Sequence, residues 1–347
     1  MSSYNYFPIL KTTDAELQAY AELPLRVQER ILPIFELTRS RRSKNNPDAD
    51  SWLRVESIEE SLDGRPFILD LTTEPTLQNT QIDAMLNNAK NGYSAWVTLV
   101  RKIAAKGMDV VPVIHYNPDE LTEVRAEIRE LKKISPTLAF RVGTADDVAG
   151  YTAEIAKSID TENLVLIIDA SYIKPDDENP FPTALDSIDT DDFKGVICAA
   201  SSFPSSVANH GDQHGVFPIA EIAASEAHMS DPNVFHGDYG SIHPIRYEGR
   251  WGGWVPRIDF TSGSEFHYYR YRREQGGYTK AAQKVVADKS YKPITEFAVW
   301  GDEEISTAAA GQPSGRSPAH WISVRANLYM AQQYLRLSAK KYSRMPW

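Results

Sequence analysis

The residues of this chain that could do chemistry sit at the ends of apolar runs. Residues 163–171, NLVLIIDAS, form an unbroken aliphatic segment that stops at Asp169. The same shape recurs at 31–37 with Glu36, 67–71 with Asp70, 110–115 ending in His115 and 138–142 with Arg141. It recurs again at 195–201 ending in Ser201, 234–238 ending in Asp238 and 255–259 with Arg257 and Asp259. A charged group cannot enter an apolar interior without a partner, so each of these residues marks a strand exit. Collected at one rim, Asp70, His115, Asp169 and Asp238 are the candidate catalytic groups. Lys11, Glu36, Arg141, Ser201, Arg257, Asp259 and Arg270 are the candidate ligand-binding groups. A carboxylate whose pKa is raised by its neighbours could act as a general acid while Arg141 grips an anion. Several carboxylates with one imidazole could instead hold Mg²⁺ or Mn²⁺, which would polarise a phosphoryl oxygen or activate water. No His-x-His or His-Glu-x-x-His spacing supports a metal, so neither metal ligands nor a cofactor are assigned. The same groups could also hold a ligand without reacting with it. Parity limits the set, because residues one apart on a strand point to opposite sides.

The elements that must position these groups follow from the pattern. Runs without alternation are strands buried on both faces, as in parallel sheets covered by helices. Eight such runs close a (β/α)8 barrel, whose reactive groups gather where the strands end. Apolar residues spaced three to four apart predict cover helices over 51–63, 80–106, 119–134 and 144–159, and Asn91-Gly92 is a candidate break in the second. The fold class expected is α/β: an irregular (β/α)8 TIM-like barrel forming one domain over 1–347, with its core at about 31–290. A strand at 6–11 and a helix at 14–21 precede that core, and an extension from about 291 follows it. The barrel should be irregular after residue 238, where 240–254 is rich in Gly, Tyr and Trp and leaves no room for a cover helix. Trp251 and Trp254 would shape a lid there or fill the space, with a binding surface as the alternative. Residues 210–215 read as loop, 219–227, 279–289 and 319–342 as helix, and 311–318 as a Gly/Pro/Ser loop.

Three segments could meet an anion. RSRRSKNNPDAD (39–50) carries four cations on a polar loop after a strand, either a solvated connection or a flap. Residues 237–240 and 261–264 contain glycines and would follow the seventh and eighth strands, where barrels often bind phosphate. FHYYRYRR (266–273) interleaves three arginines with aromatic rings. It could stack a base, or pack as an amphipathic strand or helix beside the barrel. His210, His214, His236 and His243 read as surface residues. The single cysteine, Cys198, lies inside an apolar run and reads as core, which excludes an internal disulfide framework and a cysteine-rich zinc site. Ser201-Ser202 lacks the Gly-x-Ser-x-Gly turn of a hydrolase elbow.

Composition narrows the classes. With 42% hydrophobic residues in 347, the chain can bury a large core. A formal net charge of −10 argues against general nucleic-acid or anionic-membrane binding, although a local basic patch can still hold a phosphate. There is no basic segment followed by an apolar stretch at the N-terminus and no apolar run of membrane-spanning length, so the expected location is the cytoplasm.

Tyr6-x-Pro8-Ile9-Leu10-Lys11, Glu16 one turn into the first helix, and Ile31-Leu32-Pro33-Ile34-Phe35-Glu36-Leu37 together resemble the phage beta protein family. The later strand order, Trp300-Gly301, the Gly/Pro/Ser loop and Trp321 are similar to it as well. Lys11 and Glu36 are positions that match its pattern. The resemblance implies a protein carried by temperate or satellite phages and prophages, often near genes for host killing or defence against other phages. It brings no established catalytic mechanism. The function expected is therefore an intracellular, phage-associated role in anti-phage defence or host-killing control, with a barrel mouth that binds, and could hydrolyse, a phosphorylated or nucleotide-like ligand. The alternative is a non-enzymatic, antitoxin-like or scaffold protein that binds a toxin or defence-system partner.

Overall fold

The computed structural model describes residues 1, 3–245 and 254–343, with side chains as far as 339. The residues Trp251, Gly252 and Gly253, expected to help shape a lid, lie outside the described residues. Eight parallel strands close into a barrel: β1 (Phe7–Lys11), β2 (Ile34–Leu37), β3 (Phe67–Leu71), β4 (Val110–Ile114), β5 (Leu138–Gly143), β6 (Leu164–Tyr172), β7 (Gly195–Ser201) and, out of chain order, β9 (Val234–Asp238). The strand β8 (His214–Pro218) leaves the barrel and joins β10 (Arg257–Ser262) and β11 (Glu265–Arg270) in a three-stranded sheet of order β10-β11-β8. Closure occurs because β9 pairs with β7 on one side and with β1 on the other, where Phe7 lies opposite Gly237 and Pro8 opposite Asp238.

This corrects the expected strand set. The N-terminal run is the first barrel strand, and the run at 255–259 is not the eighth. The barrel thus begins at Phe7, not near residue 31. The reason is connectivity. After β10 the chain turns at Gly263, with φ of +59°, and returns at once as β11, pairing Ser262 with Glu265 and Arg257 with Arg270. A two-residue hairpin can join only antiparallel strands, because parallel neighbours need a crossover of roughly a dozen residues or more. The loop 261–264 is therefore a hairpin turn and not a barrel phosphate loop. The segment 210–215, expected as loop throughout, enters β8 at His214.

Strand alternation sorts the barrel residues into two shells. Phe7, Ile9, Ile34, Ile68, Val113, Val165, Ile167 and Ile197 fill the lumen, closing the bottom and middle of the barrel with side chains. Their neighbours Leu10, Phe35, Leu69, Ile114, Phe140 and Leu166 face the helices. Gly237 must be small: a Cβ there would lie 2.8 Å from Ile197 Cγ2 and 2.9 Å from the Phe7 carbonyl. The cover helices form where the pattern places them, including Trp52–Leu62, Leu121–Leu131 and Val148–Ala156. The long region 80–106 is broken, with Asn91, Gly92 and Tyr93 all at positive φ.

The C-terminal part packs back on the N-terminal part. Helix Pro318–Ser343 lies along helix Asp14–Ala21, where Asn327 Nδ2 donates to the Ala19 carbonyl at 3.0 Å and Ser323 donates to Gln18 at 3.3 Å. Helix Trp300–Ala309, which the sequence did not announce, sits against it, and Gly301 donates to Asn327 Oδ1. No helix among the described residues is long and apolar enough to cross a membrane.

Candidate ligand-binding site at the barrel mouth

Lumen parity carried to the strand ends brings Lys11, Glu36, Asp70, Arg141 and Asp169 to one mouth. Arg141 is their centre. Its Nε and Nη2 donate to Asp169 Oδ2 at 3.0 and 2.7 Å, and its Nη1 donates to Glu36 at 2.7 Å and Asp70 at 2.8 Å. Nη2 also donates to the Tyr239 hydroxyl at 2.8 Å. A guanidinium has five N–H donors, and all five are engaged here. Tyr239 in turn donates to Asp169 Oδ2 at 2.6 Å, and Lys11 Nζ lies 3.1 Å from Glu36 Oε2 while donating to the Pro244 carbonyl. The three acids thus converge on a guanidinium that occupies the place a divalent ion would take, and the same saturation leaves Arg141 no donor for an external anion.

The electrostatics follow from burial against pairing. Burial would raise Glu36, but Lys11 and Arg141 outweigh it and hold the carboxyl below its ordinary value. Asp70 goes the other way: burial raises it, and Arg141 only partly offsets this while Glu36 adds repulsion. Burial would lower Arg141, yet Tyr239, Asp169, Glu36 and Asp70 keep it well above its normal range. Tyr239, missed by the sequence reading, is raised well above its ordinary value, first by burial. It sits one residue beyond Asp238 on the lumen side, so parity applied past the strand end would have found it. Tyr239→Phe should cost about 1–3 kcal/mol in urea unfolding, because it removes a buried hydroxyl and leaves acceptor and donor short of a partner.

The other candidates lie elsewhere. Asp238 faces the helix layer, wholly buried, accepting from the Tyr6 hydroxyl at 2.5 Å and lying 3.0 Å from His236 Nε2. His236 Nδ1 is 2.5 Å from Ser225 Oγ, which completes a Ser-His-Asp chain, but solvent does not reach it. Next to it Glu221 holds Ser202 and Tyr329, and burial pushes its carboxyl up to about 7. His115 also turns away from the mouth. Strand pairing stops at Ile114, so parity no longer governs, and Nδ1 meets Glu127 at 2.6 Å under the Tyr93 ring. Ser201 donates to the Ile242 carbonyl at 3.0 Å and anchors the loop after β9. Arg270, the last residue of the central strand of the three-stranded sheet, donates to the Asp212 carbonyl away from the mouth. Asp259 is buried between Arg257, at 2.9 Å, and Arg325, at 3.2 Å.

Above the mouth lies an open cleft of about 690 Å³. Six cations line it, Lys11, Arg39, Arg41, Arg54, Arg257 and Arg325, against two carboxylates, Asp14 and Glu16. The basic loop therefore contributes Arg39 and Arg41 to a wall. Among the described residues Arg39 donates to the carbonyls of Thr76 and Ser40 and meets no carboxylate that would neutralise it. Asp259 is shared by two arginines, which leaves one positive charge over, while Arg325 stacks 3.9 Å above the Phe203 ring. Arg54 and Arg325 were missed because nothing local distinguishes them from other helix arginines. Asp14 is paired with Arg54. Glu16 accepts from the Lys11 backbone N–H at 2.6 Å and from the Thr13 hydroxyl at 3.0 Å.

Burial pushes Glu16 from its ordinary 4.5 up to about 7. The native state then holds a proton that the unfolded chain releases, so this group's stabilising contribution is complete below about pH 4.5 and is lost as pH rises to about 7. Glu16→Gln, which keeps an oxygen acceptor, should flatten that slope by on the order of 3 kcal/mol across this range, read by urea unfolding at stepped pH.

Several known proteins are similar to this chain. In the solved structures, the carboxyl transferase domain of Rhizobium etli pyruvate carboxylase aligns at a TM-score of 0.41 with 10% identity, over 96% of this chain and 48% of that one. Its Y628A form with pyruvate aligns at 0.37 with 10% identity, again over 96% and 48%. Among curated proteins, Protein beta of Enterobacteria phage P4 is 28% identical over 360 aligned positions, spanning 98% of this chain and 96% of its own. The Beta protein family profile matches residues 6–334, which takes in every barrel strand from the Phe7 end, the mouth around Arg141 and most of the C-terminal helix, and the chain belongs to that family.

Proposed function

We propose that the barrel mouth binds a small phosphorylated or nucleotide-like ligand, and that the protein uses this binding in a phage setting, in anti-phage defence or the control of host killing. The observation that carries the reading is the charge of the cleft: Arg39, Arg41 and the positive charge left over where Arg257 and Arg325 share Asp259 line it without a carboxylate to neutralise them among the described residues, in a protein whose net charge is −10. Cations concentrated against the overall charge raise the local concentration of an anion. The exposed Trp254 ring supplies apolar surface for a base. The chemistry favours holding over hydrolysis. Asp14 is engaged with Arg54 and Glu16 with backbone and hydroxyl donors, so neither is placed to activate a water.

A thermal-shift panel of nucleotides, sugar phosphates and inorganic phosphate, run at low and high salt, tests the reading. A ligand at about 100 times its Kd should stabilise the fold by about 2.7 kcal/mol, with the shift shrinking at high salt. If no phosphorylated compound moves the melting temperature, the reading falls and the partner-binding scaffold takes its place.

A further inference from the structure

Away from the mouth, three potential ligand groups meet behind the three-stranded sheet. His214 on β8, His267 on β11 and Asp288 at the end of helix Gly277–Ala287 each offer an atom, and these atoms all lie within 4.8 Å of one another. His267 is 6% exposed, and neither of its ring nitrogens makes a hydrogen bond among the described residues. The nearest carboxylate, that of Glu265, stands 3.5 Å from Nε2. A buried imidazole left without partners costs about 1–3 kcal/mol, which a sequence tolerates where something else takes the lone pair. Tyr269 completes the arrangement. Its hydroxyl donates to Asp288 Oδ2 at 2.9 Å, and its ring stacks on His214 at 4.4 Å between centroids.

We propose that His214, His267 and Asp288 form a transition-metal site that binds Zn²⁺, with Tyr269 orienting the carboxylate and water in the fourth position. Two imidazoles and one carboxylate are a recurrent three-ligand set for zinc, whereas Mg²⁺ takes oxygen ligands. Zinc bonds of about 2.0–2.2 Å require the ligand atoms to draw closer than they stand, and His214, exposed on the sheet edge, can swing inward to do so. The ion would tie β8 and β11 to the end of helix Gly277–Ala287. The hydroxyl bonded to the ligating carboxylate is the kind of outer contact that fixes ligand orientation. This site is independent of the cleft.

The test is calorimetric titration of the full chain with ZnCl2 after dialysis against a chelator, with Co²⁺ absorption as a readout of coordination. One equivalent should bind per chain. His214→Ala, at an exposed position, should weaken binding by about 100-fold or more, and Tyr269→Phe by about 10- to 100-fold, while circular dichroism stays unchanged. Zinc at about 100 times its Kd should raise the folded-to-unfolded ratio about 100-fold in the wild type but not in His214→Ala. Absence of binding to the wild-type chain overturns the proposal, and so does equal binding to His214→Ala, which would place the ion elsewhere.

Discussion

Arg141→Met is expected to destabilise the protein by about 3–5 kcal/mol at neutral pH, toward the upper end of what breaking a buried ion pair costs. Three carboxylates lose their shared cation together, and among the described residues only Glu36 keeps another cation, Lys11. The methionine fills the volume of the stem but supplies none of the five donors. The pH dependence identifies the cause. Without the guanidinium Glu36 and Asp70 lose the charge that lowers their carboxyl pKa values, so the folded variant binds protons that its unfolded chain does not. Its deficit should therefore narrow as pH falls from 7 toward about 4, where unfolded carboxylates begin to protonate. In the wild type Glu36 acts in the opposite sense, since its lowered pKa contributes stability that is lost on acidification, whereas the raised Asp70 is relieved by it. Urea unfolding at stepped pH measures both. A deficit that stays constant down to pH 4 would mean that packing, not charge, had been lost.

Arg39→Gln combined with Arg41→Gln should leave the melting temperature nearly unchanged and weaken the phosphorylated ligand by about 3–6 kcal/mol, because each charge-assisted hydrogen bond is worth about 1.5–3 kcal/mol. Glutamine can keep the donation from position 39 to the Thr76 carbonyl, so the loop retains its hold. Arg41 is exposed, and its side chain bridges no carboxylate among the described residues. The contrast with Arg141 is instructive: one cation is spent inside the protein, and two others face the solvent of the cleft. Titration of the double variant with the strongest ligand of the panel, at matched salt, checks the prediction. Undiminished affinity would move the ligand off this wall.

The barrel was legible because a strand buried on both faces has to be apolar throughout, and seven of its eight strands announce themselves in that way from residue 31 onward. The eighth was misassigned. The run at 255–259 is as apolar as a barrel strand, but the hairpin turn at Gly263 commits it to an antiparallel partner. Strand-end chemistry was likewise half legible. Glu36, Asp70, Arg141 and Asp169 share the lumen parity and meet, while Asp238 has the opposite parity and turns to Tyr6 and His236.

By itself the sequence determined the barrel's periodicity, the strand exits as the polar rim and the basic loop at 39–50, since each depends on the local order of apolar and charged residues. Only the tertiary structure decided which charges neutralise one another. Arg141 meets carboxylates from three other strands, Arg325 reaches the cleft from the far end of the chain, and His214, His267 and Asp288 converge from separate elements. The physical reason is that a charge is costly or useful according to what stands within a few ångströms of it, and strand closure sets that distance between residues that can be a hundred or more positions apart in the chain.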